Sequence, residues 1–238
     1  MKKKLIIIGL IVFGLVSGGI LFWLFNREIK EPSDITRFIN EFEQYNYQQN
    51  KTGDTYPLVK IADYTPVSYA SSSEIVTFMK QGTGVIFLGS ATCPWTRTSL
   101  PIFLQALFNS NIENFLYFDI TTIQSTIIAK NGEAVVEKKG TNDYYQILDQ
   151  LDTYLSPYQG LDENLVQVDF AEKRIMTPTY VFVDEGKIIG FHELTVTEQE
   201  NGYQKLTTQQ EEQLYNIYRN YISQISSIDC GSVPEEEC

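Results

Sequence analysis

Cys93 is the one cysteine in the interior of the chain, and it lies where a predicted strand changes into a predicted helix. The apolar run at residues 85–88 is long enough for one buried strand, and the small residues at 89–92 predict a turn. From Thr96 onward the pattern is helical. Free N–H groups and partial positive charge at a helix start stabilise a thiolate over a thiol, and the thiolate is the nucleophile. The spacing therefore predicts a reactive sulfur.

The motif Cys93-Pro94-Trp95-Thr96 stands where thioredoxin-like proteins carry Cys-x-x-Cys. Pro101, eight residues beyond the thiol, matches the proline that kinks the first active-site helix of that family. The string FLGSATCPWTR is similar to the membrane-anchored bacteriocin transport accessory branch, which typically reads F-I-G-x-x-x-C-P-x-C-R. The resemblance implies an α/β fold with a central mixed sheet flanked by helices. It also implies thiol–disulfide exchange at Cys93 and substrate contacts by Pro94 and Trp95.

A second part of the resemblance is Thr177-Pro178-Thr179, which precedes an apolar run. Thioredoxin-like folds place a cis-proline at the head of a strand, packed against the active cysteine. A proline that opens a strand more commonly marks an edge or a bend. If the resemblance holds, Pro178 is cis and the backbone of Thr177 holds an extended substrate peptide beside the sulfur.

Two positions depart from the family pattern. Thr96 replaces the second cysteine, so the motif has one thiol, and its hydroxyl could instead donate a hydrogen bond to the thiolate. Phe87 replaces the acidic residue that thioredoxins bury six positions before the thiol. Monothiol exchange through Cys93, with Thr96 assisting, is therefore one hypothesis. A redox-inactive binding or accessory module for secreted peptides or an exporter is the alternative, and a structural domain with an inert cysteine is a third.

The elements before the cysteine follow the order strand, helix, strand. Residues 57–61 are predicted as the first strand. Ser71 and Glu74 have the spacing of a capping box at a helix start. Apolar residues at helical spacing predict an earlier helix that begins near Asp34, and residues 114–121 are predicted as a parallel neighbour of the central strand.

The stretch at about 123–172 is predicted as a helical insertion, either a lid over the site or a cover for the sheet. Its helix would begin at Asn142 and end before Pro157. Residues 184–187 predict a hairpin turn into a last strand. His192 on that strand is either a partner for the thiol or a half-exposed structural residue. Thr208 and Glu211 have capping-box spacing for a closing helix.

Both ends of the chain have distinctive patterns. Three lysines precede an uncharged run at residues 5–25, long enough for a single membrane span with the C-terminal domain outside the cytoplasm. Signal-peptide cleavage near residues 17–19 is the alternative. Three roles are open for Cys230 and Cys238 near the C-terminus. They form a disulfide with each other, one of them resolves a mixed disulfide on Cys93, or both remain free thiols.

Composition limits the partners. The net charge of −12 repels phosphate backbones and argues against nucleic acid. Three cysteines and one histidine are too few for a disulfide-rich scaffold or a zinc site, so no metal or other cofactor is expected. The predicted organisation is a membrane anchor at 1–30, a juxtamembrane segment at 31–56, the α/β domain at 57–225 and an acidic tail at 226–238. Membrane, protein thiols and secreted peptides are the expected partners.

Overall fold

The apolar run before the cysteine forms the central strand of a five-stranded mixed sheet. The computed structural model describes residues 32–225. In sheet order β1-β3-β2-β8-β9, the first three strands run parallel, and β8 and β9 are antiparallel to their neighbours. The strands are β1 (Val67–Tyr69), β2 (Gly84–Gly89), β3 (Phe115–Asp119), β8 (Thr179–Asp184) and β9 (Lys187–Glu193). The predicted α/β class with a central mixed sheet is confirmed.

Within residues 32–225, five α-helices cover the two faces of this sheet. They are α1 (Asp34–Glu43), α2 (Ser72–Gln81), α3 (Pro94–Phe108), α4 (Asn142–Leu151) and α5 (Thr208–Ile222). Because side chains alternate along a strand, Phe87 of β2 packs with α1, α3 and α5, whereas its neighbour Leu88 packs with α2 and α4. All of β2 is therefore buried.

The N-terminal helix α1 packs directly on the sheet. Its Phe38 and Phe42 are fully buried in the same cluster as Phe87. The helix predicted near Asp34 is confirmed, and the core that it shares with β2 includes residues before position 57.

The prediction of a strand at residues 57–61 is wrong, since the first strand is β1. Side chains of the preceding segment bind the backbone of this stretch. Asn46 accepts a hydrogen bond from the amide of Val59 at 3.0 Å and donates one to its carbonyl at 2.7 Å, and Glu43 accepts one from Ile61 at 2.9 Å. These backbone groups are therefore not available for a sheet ladder.

One helix cap is as predicted and one is displaced. Ser71 and Glu74 form the capping box of α2. The cap of α5 lies one residue earlier than predicted, with Thr207 and Gln210 in place of Thr208 and Glu211. Glutamine serves as well as glutamate at the third helical position, and this allows the shift.

The insertion is only partly helical. It contains α4, as predicted, but also two hairpins, β4 (Thr126–Lys130) with β5 (Glu133–Lys138), and β6 (Gln159–Leu161) with β7 (Gln167–Asp169). One sequence signal, the Asn131-Gly132 pair, indicated the first hairpin. Both residues have positive φ in its turn, as Asn-Gly does in tight hairpins. Every residue of β5 is exposed. The strand therefore has no buried face whose apolar residues could have predicted it from the sequence.

The predicted anchor at 1–30 and the tail at 226–238, with Cys230 and Cys238, lie outside the described residues. Within residues 32–225, no helix is both long enough and apolar enough to cross a membrane.

Candidate functional site

Cys93 is the N-cap residue of α3, in agreement with the prediction from the sequence. Its amide donates to the carbonyl of Ser90 at 3.1 Å, and its carbonyl accepts from the amide of Arg97 at 3.0 Å. Pro94 fills the first helical turn, where its missing N–H costs no hydrogen bond. The thiol is half-buried, and it is the one free cysteine among the described residues.

The segment at Thr177 lies directly beside the thiol. The Thr177–Pro178 peptide bond is cis, as the resemblance implied, and β8 begins at the next residue. The Cys93 thiol donates a hydrogen bond to the carbonyl oxygen of Thr177, with an Sγ–O distance of 3.2 Å. The antiparallel pairing of β2 with β8 brings these two distant parts of the sequence together.

Thr96 does not make the predicted hydrogen bond to the sulfur. The residue is fully buried in the first turn of α3, and its Oγ1 has no hydrogen-bond partner among the described residues. Its methyl group faces β2, since a Cβ added at Gly89 would lie 3.2 Å from Thr96 Cγ2. The Thr96 hydroxyl therefore makes no hydrogen bond to Cys93 when that residue is a thiol.

Trp95 is half-buried against a loop that the sequence analysis did not single out. A Cβ at Gly202 would lie 3.0 Å from atoms of Trp95, and the Gly202 carbonyl accepts a hydrogen bond from Thr98 at 3.0 Å. The same loop starts at Leu194, whose amide donates to the carbonyl of Pro178 at 2.7 Å. Residues 194–206 therefore form one wall of the site, and the Asn201-Gly202 pair was the available turn signal.

Arg97 is the last residue of the string FLGSATCPWTR, and no role was predicted for it. It is fully buried, and its guanidinium donates to four oxygens that carry no charge. These are Pro57 O at 2.8 Å, Phe42 O at 2.7 Å, Ala91 O at 3.1 Å and Asn46 Oδ1 at 2.7 Å. Burial lowers the pKa of Arg97 to about 10, so the side chain stays cationic at neutral pH. It joins the cysteine turn to α1 and the segment after it.

A cluster of hydroxyl groups lies beneath α3. Ser99 Oγ and the Tyr180 hydroxyl are 3.0 Å apart, and Tyr218 packs edge-on against Tyr180. Burial raises the pKa of both tyrosines, so their hydroxyls stay neutral. His192 packs on Tyr218, and burial lowers its pKa to about 4. A neutral, half-buried histidine in a tyrosine cluster fits the structural role that was weighed for it.

No group of three or more histidine, cysteine or acidic side chains within residues 32–225 has the arrangement of a metal site. The arrangement instead presents one sulfur, one backbone carbonyl and one cis-proline at the same edge of the sheet. Comparison of the chain with protein-family models, with curated protein sequences and with solved structures found no match.

Proposed function

We propose that the chain is a thioredoxin-like protein that performs monothiol thiol–disulfide exchange through Cys93. The observation that carries the proposal is the 3.2 Å contact between Cys93 Sγ and the carbonyl oxygen of Thr177, next to the cis-Pro178 peptide bond. A thiol at the start of a long helix, facing a cis-proline from a neighbouring strand, is the arrangement that the motif resemblance implies. The strand order β1-β3-β2-β8-β9 supports the same family.

The exchange has two balanced steps. The Cys93 thiolate attacks one sulfur of a substrate disulfide, a bond forms between the two sulfurs, and the other substrate sulfur leaves as a thiolate that takes up a proton. Because residue 96 is a threonine, the motif offers no second thiol to attack this mixed disulfide. A thiol from outside the motif loses its proton and attacks the substrate sulfur, so that a disulfide forms between these two sulfurs, the bond to Cys93 breaks, and the Cys93 thiolate is regenerated with no net oxidation of the protein.

The substrate in this proposal is a protein thiol or a secreted peptide in extended form. Thr177 lies just ahead of β8 and outside the strand pairing, which ends at Thr179. An extended peptide beside it gains a main-chain hydrogen bond. Pro94 and Trp95 border the sulfur on the helix side, and residues 194–206 close the site behind Trp95.

The alternative is a binding module without redox turnover. Two observations favour it: Thr96 supplies no second thiol, and Phe87, in place of a buried acid, stacks on Tyr180. In this form the groove beside Thr177 holds secreted peptides near an exporter, and Cys93 contributes only its hydrogen bond.

The proposed location is the outer side of a cell membrane, with residues 1–30 as a single-pass anchor. The support is the uncharged run at 5–25 behind three lysines. In this proposal the chain contacts the membrane through residues 1–30.

Trapping of mixed disulfides in the native envelope tests the proposal. Cells that express the full chain are quenched with acid and alkylated, and partners linked to the protein are identified by mass spectrometry. A Cys230→Ser/Cys238→Ser variant should still capture partners, and Cys93→Ser should capture none. If the Cys93→Ser strain keeps the wild-type phenotype and no adduct forms on the wild-type protein, the binding module is the function.

A further inference from the structure

A largely apolar groove runs along the C-terminal half of α3. It consists of two cavities, of about 460 and about 210 Å³, which adjoin because Ser110 and Ile112 line both of them. The rings of Tyr64 and Phe108 line the larger cavity with their centroids 5.3 Å apart, and they are 65% and 64% exposed. Large aromatic side chains that contact each other but remain open to solvent are typical of an interaction surface.

The described part of the chain ends at this groove. Ile225 is buried in the same core cluster as Ile222, and both side chains line the smaller cavity. The acidic tail at 226–238 therefore starts beside the groove. Its thirteen residues span up to about 43 Å when extended, whereas the larger cavity follows α3 from Pro101 to Phe108, a distance of about 10 Å. The tail is long enough to cover the whole groove.

The charge of the tail complements that of the groove. The tail has four carboxylates, at Asp229 and at residues 235–237, and no basic side chain. Arg219 lines the smaller cavity and Lys60 lines the larger one. Both side chains are exposed, and neither forms an ion pair within residues 32–225. Two such cations at one groove, in a chain of net charge −12, favour an acidic segment as the occupant.

We propose that the tail binds in this groove, with Val233 and Pro234 against the rings of Tyr64 and Phe108 and the carboxylates beside the two cations. Grooves lined by aromatic side chains are a common binding site for proline-containing segments. Because the tail belongs to the same chain, its effective concentration at the groove is high and its binding needs few contacts.

The bound tail also keeps its two cysteines away from Cys93. Cys93 begins α3, whereas the groove starts at Pro101, eight residues or about 12 Å further along the helix. A disulfide between Cys230 and Cys238, or two free thiols, is compatible with this position. Resolution of a mixed disulfide on Cys93 requires the tail to leave the groove. The inference itself does not depend on the exchange reaction.

Disulfide crosslinking of the full chain in detergent locates the tail. In a Cys93→Ser/Cys230→Ser background Cys238 is the one native thiol. Gln105→Cys adds a second thiol at an exposed residue that lines the larger cavity. The matched control is Gln213→Cys, at an exposed residue of α5 that lines neither cavity. Gln213 precedes the tail by thirteen residues, about 20 Å along a helix, so an unbound tail also reaches it.

The linked product is followed over time after addition of copper phenanthroline as oxidant, and circular dichroism checks that each variant is folded. A bound tail concentrates Cys238 at the groove, so Gln105→Cys should crosslink about tenfold faster than Gln213→Cys. Val233→Asp places a charge against the aromatic rings and should bring the rate of Gln105→Cys close to that of the control. Ser232→Asp adds the same charge one residue earlier and should change the rate far less.

Three results would overturn the inference. Equal rates for Gln105→Cys and Gln213→Cys mean that the tail is not held in the groove, which is then left for a separate partner. A Gln105→Cys product that joins two chains, seen as a dimer on a non-reducing gel, places a second copy in the groove. Equal slowing by Val233→Asp and Ser232→Asp contradicts the contact between Val233 and the aromatic rings.

Discussion

Phe87 of β2 and Tyr180 of β8 stack face to face, with their ring centroids 4.9 Å apart and their planes 9° apart. The Tyr180 hydroxyl lies at the edge of this stack, 3.0 Å from Ser99 Oγ of the cysteine helix. Aromatic rings therefore fill the space beneath the site where the resembling family buries an acid. A proton that leaves Cys93 has no carboxylate at residue 87 to receive it.

Phe87→Ala should destabilise the protein strongly. The ring is fully buried among Phe38, Phe42, Tyr117 and Tyr180, so its removal loses apolar contacts and leaves a cavity, at a cost of about 3–5 kcal/mol. Urea denaturation of the full chain measures the loss. The matched control is Phe108→Ala, because that ring is 64% exposed, and its loss should be far smaller. Similar losses for both variants would contradict the packing described for Phe87.

Thr96→Val should be neutral or stabilising. The Thr96 hydroxyl is buried without a partner, so replacement by a methyl group of similar size removes an unsatisfied polar atom, at a gain of up to about 1 kcal/mol. Ser99→Ala is the contrasting variant, since it removes a hydroxyl bonded to Tyr180 and should cost about 1–2 kcal/mol. Urea midpoints compare the two, and a destabilised Thr96→Val would mean that the hydroxyl has a partner.

Arg97→Met should destabilise the protein by more than about 3 kcal/mol, because the four oxygens lose a charged hydrogen-bond donor at a buried position. It should also raise the protease sensitivity of the segment that links α1 to β1. Arg219→Met is the control, since that exposed side chain makes one bond, to Asn109 O at 3.3 Å. Limited proteolysis and urea titration check both effects, and a stable Arg97→Met variant would show that the guanidinium is dispensable.

Stability should fall between about pH 7 and about pH 5 because of His192. Burial lowers its pKa from 6.5 to about 4, so the unfolded chain binds a proton first as the pH falls, and the native state loses about 2 kcal/mol over this range. Well above pH 6.5 the histidine is neutral in both states, and its contribution vanishes. His192→Gln removes this loss.

The difference between wild type and His192→Gln isolates the effect of the histidine from that of carboxyl groups that titrate in the same pH range. Burial raises the pKa of Glu193 and of Asp119, so these groups favour the native state as the pH falls and act in the opposite direction. Denaturant titrations of both proteins at the two pH values give the difference. If it does not change with pH, His192 is accessible to protons in the native state.

Sequence patterns predicted the features that depend on residues close together in the chain. Cys93 at a helix start, the Ser71 cap and the buried strand of residues 84–89 follow from residue types a few positions apart. The cis bond at Pro178 came from a motif resemblance and is present. The helix start, the cap and the strand depend on residue types close together in the chain, which short patterns record, whereas the cis bond was implied only by the resemblance.

The way in which distant residues complete the site depends on the folded arrangement of the whole domain. The Thr96 hydroxyl makes no hydrogen bond to the sulfur, the thiol donates to Thr177, and Arg97 joins the cysteine turn to Phe42 and Pro57. Hydrogen bonds from Asn46 and Glu43 keep residues 57–61 out of the sheet, although their apolar pattern fits a strand. These outcomes depend on which groups meet after the chain folds, and a one-dimensional pattern does not contain that pairing.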